Sequence, residues 1–184
     1  MRTSIDHDRK KLFRLLKTQA FFRGKFILSS GKESNFYLDA RLVTLSAAGA
    51  YLTARIMLDM ISEDQPDAIG GPTLGADPMV GAIACLSHQD GRPINTFIIR
   101  KQLKGHGKQQ QVEGPLLKEG GSVVIIDDVA TTGKAFVESI EVLQKMNINV
   151  KKAICVVDRG EGALEALAKY KVPLKSIFTL AEFL

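Results

Sequence analysis

The chain has 184 residues, 45% of them hydrophobic and 24% charged, proportions of a globular protein with one well-filled core and little chain left for a second. No apolar run approaches the roughly 20 residues that cross a bilayer, and the charged opening Met1 to Lys11 has no apolar signal region, so a cytoplasmic protein with no membrane role is expected. The net charge of +5 is partly clustered: Arg100, Lys101, Lys104, His106 and Lys108 crowd together without interleaved aromatics, which favours a small polyanion over nucleic acid.

Leu12, Leu15, Leu16 and Ala20 share one face of a helix predicted over Asp8 to Ala20. Gly24 ends that pattern. Lys25 to Leu28 and Asn35 to Leu38 then read as arms of a hairpin turned around Ser29-Ser30-Gly31-Lys32, with Phe36 as strand core. Ser46 caps a helix to about Ile61 that carries Leu52, Ile56 and Met60 on its buried stripe. Ala68 to Gly70 is the first short parallel strand. In the loop Gly71-Pro72-Thr73-Leu74-Gly75-Ala76-Asp77-Pro78 the glycines let backbone N–H groups approach a ligand, although a βα turn without a ligand fits as well. Pro78 begins a helix to about Ser87.

Ile94 to Ile99 is the next apolar strand and ends in the basic cluster. Lys101 to Gly121 shows no periodicity, and a loop of about 20 structureless residues in a compact domain signals a lid or binding loop. Val123 to Ile126 is a continuous β-branched run, suited to a central strand buried on both faces. Asp127 and Asp128 follow at its end, where two adjacent carboxylates need polar or cationic partners. Thr131, Thr132 and Gly133 make a small-residue turn, and from Lys134 the residues Phe136, Ile140, Leu143 and Met146 recur at helical spacing. Strand, acidic pair, turn and helix start together form an anion cradle with a hydroxyl-binding rim, suited to a sugar phosphate. No Gly-x-x-x-x-Gly-Lys-Ser/Thr loop occurs.

Ala153 to Val157 is another buried strand, and it ends in Asp158-Arg159-Gly160. Arg159 can present a bidentate fork to a carboxylate or pair internally with a neighbouring acid. Ala163 to Lys169 reads as a helix and Ile177 to Thr179 as a last short strand. Cys85 lies in an Ala/Ile-rich helical stretch and Cys155 in an apolar run, so both are expected to be small buried hydrophobes without a disulfide or metal motif.

Val123 to Ala135 closely resembles the phosphoribosyl-diphosphate (PRPP) signature of the type I phosphoribosyltransferases, and within them the chain looks most like an orotate phosphoribosyltransferase. Arg100-Lys101-Gln-Leu-Lys104-Gly-His106-Gly107 matches that family's Arg-Lys-x-x-Lys-x-His-Gly pattern in full. Phe26 to Arg41 resembles its hood over the base site. The resemblance runs from about Phe26 to Arg159 and implies the following roles. Asp127 and Asp128 hold the ribose hydroxyls, and Val129, Ala130, Thr131, Thr132, Gly133, Lys134 and Ala135 wrap the 5-phosphate. Thr73, Leu74 and Gly75 form the diphosphate loop, while Arg100, Lys101, Lys104 and His106 close over the diphosphate. Tyr37, Leu38, Thr131 and Arg159 meet orotate, with Arg159 gripping its carboxylate. Lys101, Lys104, His106 and Asp128 are the catalytic set, with either lysine as acid on the leaving oxygen. Mg2+ is expected through PRPP near Asp127 and Asp128, with no direct protein-only metal site. Three positions depart from better-known bacterial relatives: Ser29 and Gly75 stand where those carry Lys, and Leu38 replaces an aromatic.

The fold implied is α/β, a mostly parallel Rossmann-like sheet of about five strands flanked by helices, as one domain over 1–184 with a hood mainly in 1–45 and a core over about 46–184. The resemblance also implies a homodimer with the basic loop shared across subunits, substrates orotate and PRPP, and the product orotidine 5-monophosphate in UMP synthesis, with no fused decarboxylase. A purine-type phosphoribosyltransferase and a PRPP-sensing regulator are the rivals. A carboxylate-gripping Arg argues against the first, and the absence of an evident nucleic-acid surface argues against the second.

Overall fold

The computed structural model describes residues 4–27, 33–101 and 111–184. Helix α1 (Ile5–Leu15) starts where the Ser4 side chain accepts the His7 N–H, and it runs into a π-helical turn, Leu16–Ala20. Leu12, Leu16 and Ala20 are fully buried, whereas Leu15 is half-exposed. The hairpin pairs β1 (Phe21–Ile27) with β2 (Glu33–Leu38). Gly24, expected to break the helical pattern, comes after that pattern has already ended at Ala20. It lies inside β1, at a register irregularity between Arg23 and Phe26. A bulge absorbs the glycine without ending the ladder.

The short helix α2 (Arg41–Thr44) and α3 (Ala47–Met60) lead to β3 (Ala68–Pro72), α4 (Asp77–Gln89) and β4 (Asn95–Ile99). Then come β5 (Val112–Glu113), β6 (Ser122–Ala130), α5 (Lys134–Lys145), β7 (Asn149–Asp158), α6 (Ala163–Ala168) and β8 (Leu174–Thr179). Six strands form the main sheet in the order β5-β4-β3-β6-β7-β8, all parallel except β5, which runs antiparallel along the edge of β4. The sixth strand is this two-residue edge, inside the stretch expected to be structureless. Two residues are too few to carry a period in sequence.

The β-branched run of β6 divides the interior. Val124 and Ile126 face a core shared with α1, α3 and α4, while Val123 and Ile125 face a second core shared with α5 and α6. Alternate side chains of a strand leave opposite faces, so a continuous apolar run is what a sheet covered on both sides requires. Cys155 is fully buried, but Cys85 is exposed, contrary to its expected burial. It lies on the solvent side of α4, whose buried residues are Met79, Val80, Ile83 and Ser87. The apolar composition around Cys85 masked which face it occupies.

The acidic pair does not end β6. Asp127 still pairs with Cys155 of β7, and the ladder continues to Ala130 opposite Asp158. On the other edge, pairing with β3 stops at Gly70 opposite Ile125. The chain leaves β3 toward β4 on one side and returns to β6 on the other, so this one-sided opening is the topological switch point of the sheet, where open α/β sheets hold ligands. Among the described residues, no helix is long and apolar enough to cross a membrane.

Candidate active site

The opening between β3 and β6 is lined by backbone and carboxylates in close approach. A Cβ at Gly71 would overlap the Ile126 carbonyl, and one at Gly75 would overlap both the Asp127 and Asp128 carboxylates. A side chain at position 75 is therefore excluded unless the acids move, which gives a local reason for glycine where better-known relatives carry lysine. Thr73 is tied in by its N–H to the Ile99 carbonyl at 3.0 Å, and Leu74 projects 65% exposed.

Asp127 is buried and Asp128 half-buried. The Asp128 N–H donates to Asp127 Oδ1 at 2.9 Å and the Val129 N–H to Asp128 Oδ1 at 2.8 Å. Burial, then the charge of Asp128, pushes the Asp127 carboxyl well above its ordinary value; burial also raises Asp128. Among the described residues, Lys101 favours ionised Asp127 and Arg41 favours ionised Asp128. Arg41 is held by Asp39 through Nε at 2.9 Å and Nη2 at 3.0 Å. The sequence reading passed over this pair, because an Asp and an Arg two apart after a strand look like an ordinary turn.

The phosphate turn follows. Gly133 adopts φ +79°, and a Cβ there would press on Ala163 and Leu167 of α6, so glycine both turns the chain and lets the two helices meet. Behind it α5 begins, with its first N–H groups free of intrahelical partners. Thr131 is half-buried and Thr132 exposed. Lys134 is exposed and pairs with Glu138 at 3.7 Å.

At the neighbouring strand end, the Arg159 N–H donates to the Ala130 carbonyl at 2.9 Å, which places Arg159 beside the turn. Its side chain is only 9% exposed, binds Glu161 Oε1 through Nε at 2.7 Å and lies with Cζ 5.4 Å from the centre of the Phe36 ring. Tyr37 and Leu38 do not share a face. Leu38 is buried, whereas Tyr37 is 38% exposed and packs on Phe22 and Phe26 of the same hairpin. Alternation along β2 puts Phe36 and Leu38 on one side and Tyr37 on the other. Phe36, expected as core, is half-buried.

The base of the basic loop is closed by the Arg100 N–H to the Gln111 carbonyl at 2.8 Å and by Arg100 Nη1 to Glu113 at 3.5 Å. Lys104 and His106, and Ser29 in the hairpin turn, lie outside the described residues. The structure thus brings Thr73 to Gly75, Lys101, Asp127, Asp128, Thr131 to Ala135 and Arg159 around one crevice.

Residues 45–183 match the phosphoribosyl transferase domain family. An orotate phosphoribosyltransferase of Aquifex aeolicus is 41% identical over 180 residues, covering 96% of this chain and 98% of that one. The chain belongs to the orotate phosphoribosyltransferase family. The fold agrees: the orotate phosphoribosyltransferase of Mycobacterium tuberculosis H37Rv in complex with Fe(III) dicitrate superposes with a TM-score of 0.85 at 35% identity, covering 96% of this chain and 98% of that one. The same Mycobacterium protein in complex with PRPP gives 0.80 at 32% identity, with the same coverage. In this member of the family the close packing of the loop after β3 on the end of β6 leaves no room for a Cβ at Gly71 or, with the acids placed as they are, at Gly75.

Proposed function

We propose that this protein transfers the ribose 5-phosphate group of PRPP to N1 of orotate, giving orotidine 5-monophosphate and diphosphate in pyrimidine synthesis. The observation that carries the reading is that the desolvated Asp127–Asp128 pair and Arg159 belong to adjoining strand ends, the Arg159 N–H being bonded to the carbonyl of Ala130, the last residue of β6. Both desolvated acids suit the ribose hydroxyls, while Arg159 suits the orotate carboxylate.

The reaction breaks the bond from C1 to diphosphate, and the electron pair leaves on the diphosphate oxygen. The lone pair of N1, already deprotonated, forms the new bond. Positive charge grows on the sugar between the two events, and fixed anions beside it lower the barrier. Asp127 and Asp128 supply those anions, and the turn Ala130 to Ala135 with the start of α5 holds the 5-phosphate. Lys101 and Arg100, with Lys104 and His106 of the basic loop, stabilise departing diphosphate, and either lysine serves as the acid on its oxygen. Closing that loop excludes water that would otherwise hydrolyse PRPP.

Among the described residues, no three His, Cys, Asp or Glu side chains gather as metal ligands. Two adjacent acids with raised proton affinity do fit the hydration shell of a divalent ion, so Mg2+ would arrive with PRPP near Asp127 and Asp128. It would supply further positive charge to the diphosphate. We read the chain as one catalytic domain whose hood lies mainly within 1–45, working in the cytoplasm as a homodimer with the basic loop shared between subunits. Exposed Leu42, Leu45, Tyr51 and Leu74 support that assembly.

An absorbance assay of orotate consumption tests the function. Consumption that requires PRPP and Mg2+ is expected, with Lys104→Ala cutting turnover far more than orotate affinity. Turnover of adenine or hypoxanthine in place of orotate would refute the reading.

A further inference from the structure

We propose that Glu161 and Phe36 are positioning residues, which lock the guanidinium of Arg159 so that its two terminal nitrogens face a planar carboxylate end-on. The proposal rests on the reading of Arg159 as the orotate-gripping residue and asks what holds it in register.

An arginine side chain only 9% exposed must have its charge partnered. Its five N–H donors form a rigid planar fork, so fixing one edge and bounding another side fixes the direction of the rest. Glu161 fixes the edge, accepting from Nε at 2.7 Å. Phe36 bounds the guanidinium on another side, with Cζ over the ring 5.4 Å from its centre. Among the described residues, Nη1 and Nη2 have no hydrogen-bond partner. That terminal pair is the edge that receives both oxygens of one carboxylate.

Both constraints are themselves braced. Glu161 sits between Gly160 at φ +69° and Gly162 at φ +106°, and these two left-handed residues fold the chain back so that an acid two positions on meets the arginine. The Gly160 N–H donates to Asp158 Oδ1 at 2.9 Å and holds the bend. Phe36 stacks on Phe21 with centroids 5.8 Å apart, and Phe21 contacts the fully buried Phe183 at 5.7 Å. That side of Arg159 is therefore set through the hood by the hydrophobic core. Its edge is set from the strand that carries it.

Glu161 also places a negative charge beside the fork. It balances Arg159 in the empty site while leaving the terminal nitrogens as its only uncommitted donors, so a pyrimidine without a carboxylate gains little from them.

The test is steady-state kinetics of the full chain with orotate and PRPP varied separately, together with thermal melting. Glu161→Ala should raise the KM for orotate about tenfold and leave the KM for PRPP and the melting temperature close to wild type. Glu161→Gln, whose amide oxygen still accepts from Nε, should recover most of that loss. Phe36→Leu keeps an apolar side chain but removes the π face, and it should raise the orotate KM about threefold; Phe36→Tyr should not. Arg159→Gln separates the layers. If it raises the orotate KM while Glu161→Ala and Phe36→Leu do not, positioning is overturned and the reading of Arg159 stands. An unchanged orotate KM in Arg159→Gln overturns both. A rise in the KM of both substrates with a lower melting temperature would mark Glu161 as merely structural and also overturn the proposal.

Discussion

Asp127 is the residue at which stability and function pull apart. Burial and the adjacent Asp128 charge raise its pKa above the ordinary 3.8, so ionising it costs the folded, ligand-free chain more than the unfolded one. A raised folded-state pKa contributes stability at low pH that is lost as pH rises through the folded value. The ligand-free protein should therefore lose stability as pH rises above about 4 toward neutrality, on account of this pair. Asp127→Asn removes the larger penalty: scanning calorimetry at pH 7 should show a melting temperature higher by about 2–4 °C and a flatter pH dependence, while PRPP binding falls. A lower melting temperature in the Asp127→Asn variant would contradict the assignment of burial as the cause. The chemical identities of Asp127, Asp128, Thr131, Thr132 and Arg159 were legible in sequence because they stand together in a short motif. The roles of Arg41 and Phe36 were not, since what distinguishes each is a neighbour supplied by another element, and Glu161 was legible only as the unnamed neighbouring acid with which Arg159 could pair.

Among the elements, the start of α3 was legible from its cap, a local bond, whereas α1 begins at Ile5 behind a Ser4 cap, three residues before the expected Asp8. Ser46 Oγ accepts the Gly49 N–H at 3.1 Å and donates to the Val43 carbonyl at 2.8 Å. Gly49 passes so close to that carbonyl that a Cβ would overlap it, so the cap also joins α2 to α3. Ser46→Ala should cost about 1 kcal/mol in urea denaturation, with no change in the KM of either substrate. A strand's far end was harder to foresee. β7 begins at Asn149, before the expected Ala153, and carries one extra residue at a bulge opposite Val123–Val124. There Lys152 pairs with Asp64 at 2.6 Å and Lys151 donates to the Asp64 carbonyl, strapping the strand to the turn after α3. Lysines in a row read as solvated surface until such a partner is seen.

In the molecule as a whole, the hood and the sheet share one aromatic cluster. Phe13 lies 4.9 Å from Phe183, Phe183 meets Phe178 of β8, and Phe21 of the hairpin closes on Phe183. Arg9 binds Glu182 at 2.6 Å and the Ile177 carbonyl at 3.2 Å, fastening α1 over the same corner. Phe183→Ala should cost about 3–5 kcal/mol, read as an earlier urea midpoint; a loss under about 1 kcal/mol would mean that the hood is not anchored there. The sequence by itself determined the α/β class, the buried central strand, the acidic pair with its phosphate turn, and the family resemblance, because each rests on residue type at short spacing. Tertiary structure decided which edge of β6 stays open, the antiparallel sixth strand, the exposure of Cys85, and the meeting of Phe36 with Arg159. Those outcomes depend on how elements distant in sequence pack, and neither periodicity nor motif spacing carries that information.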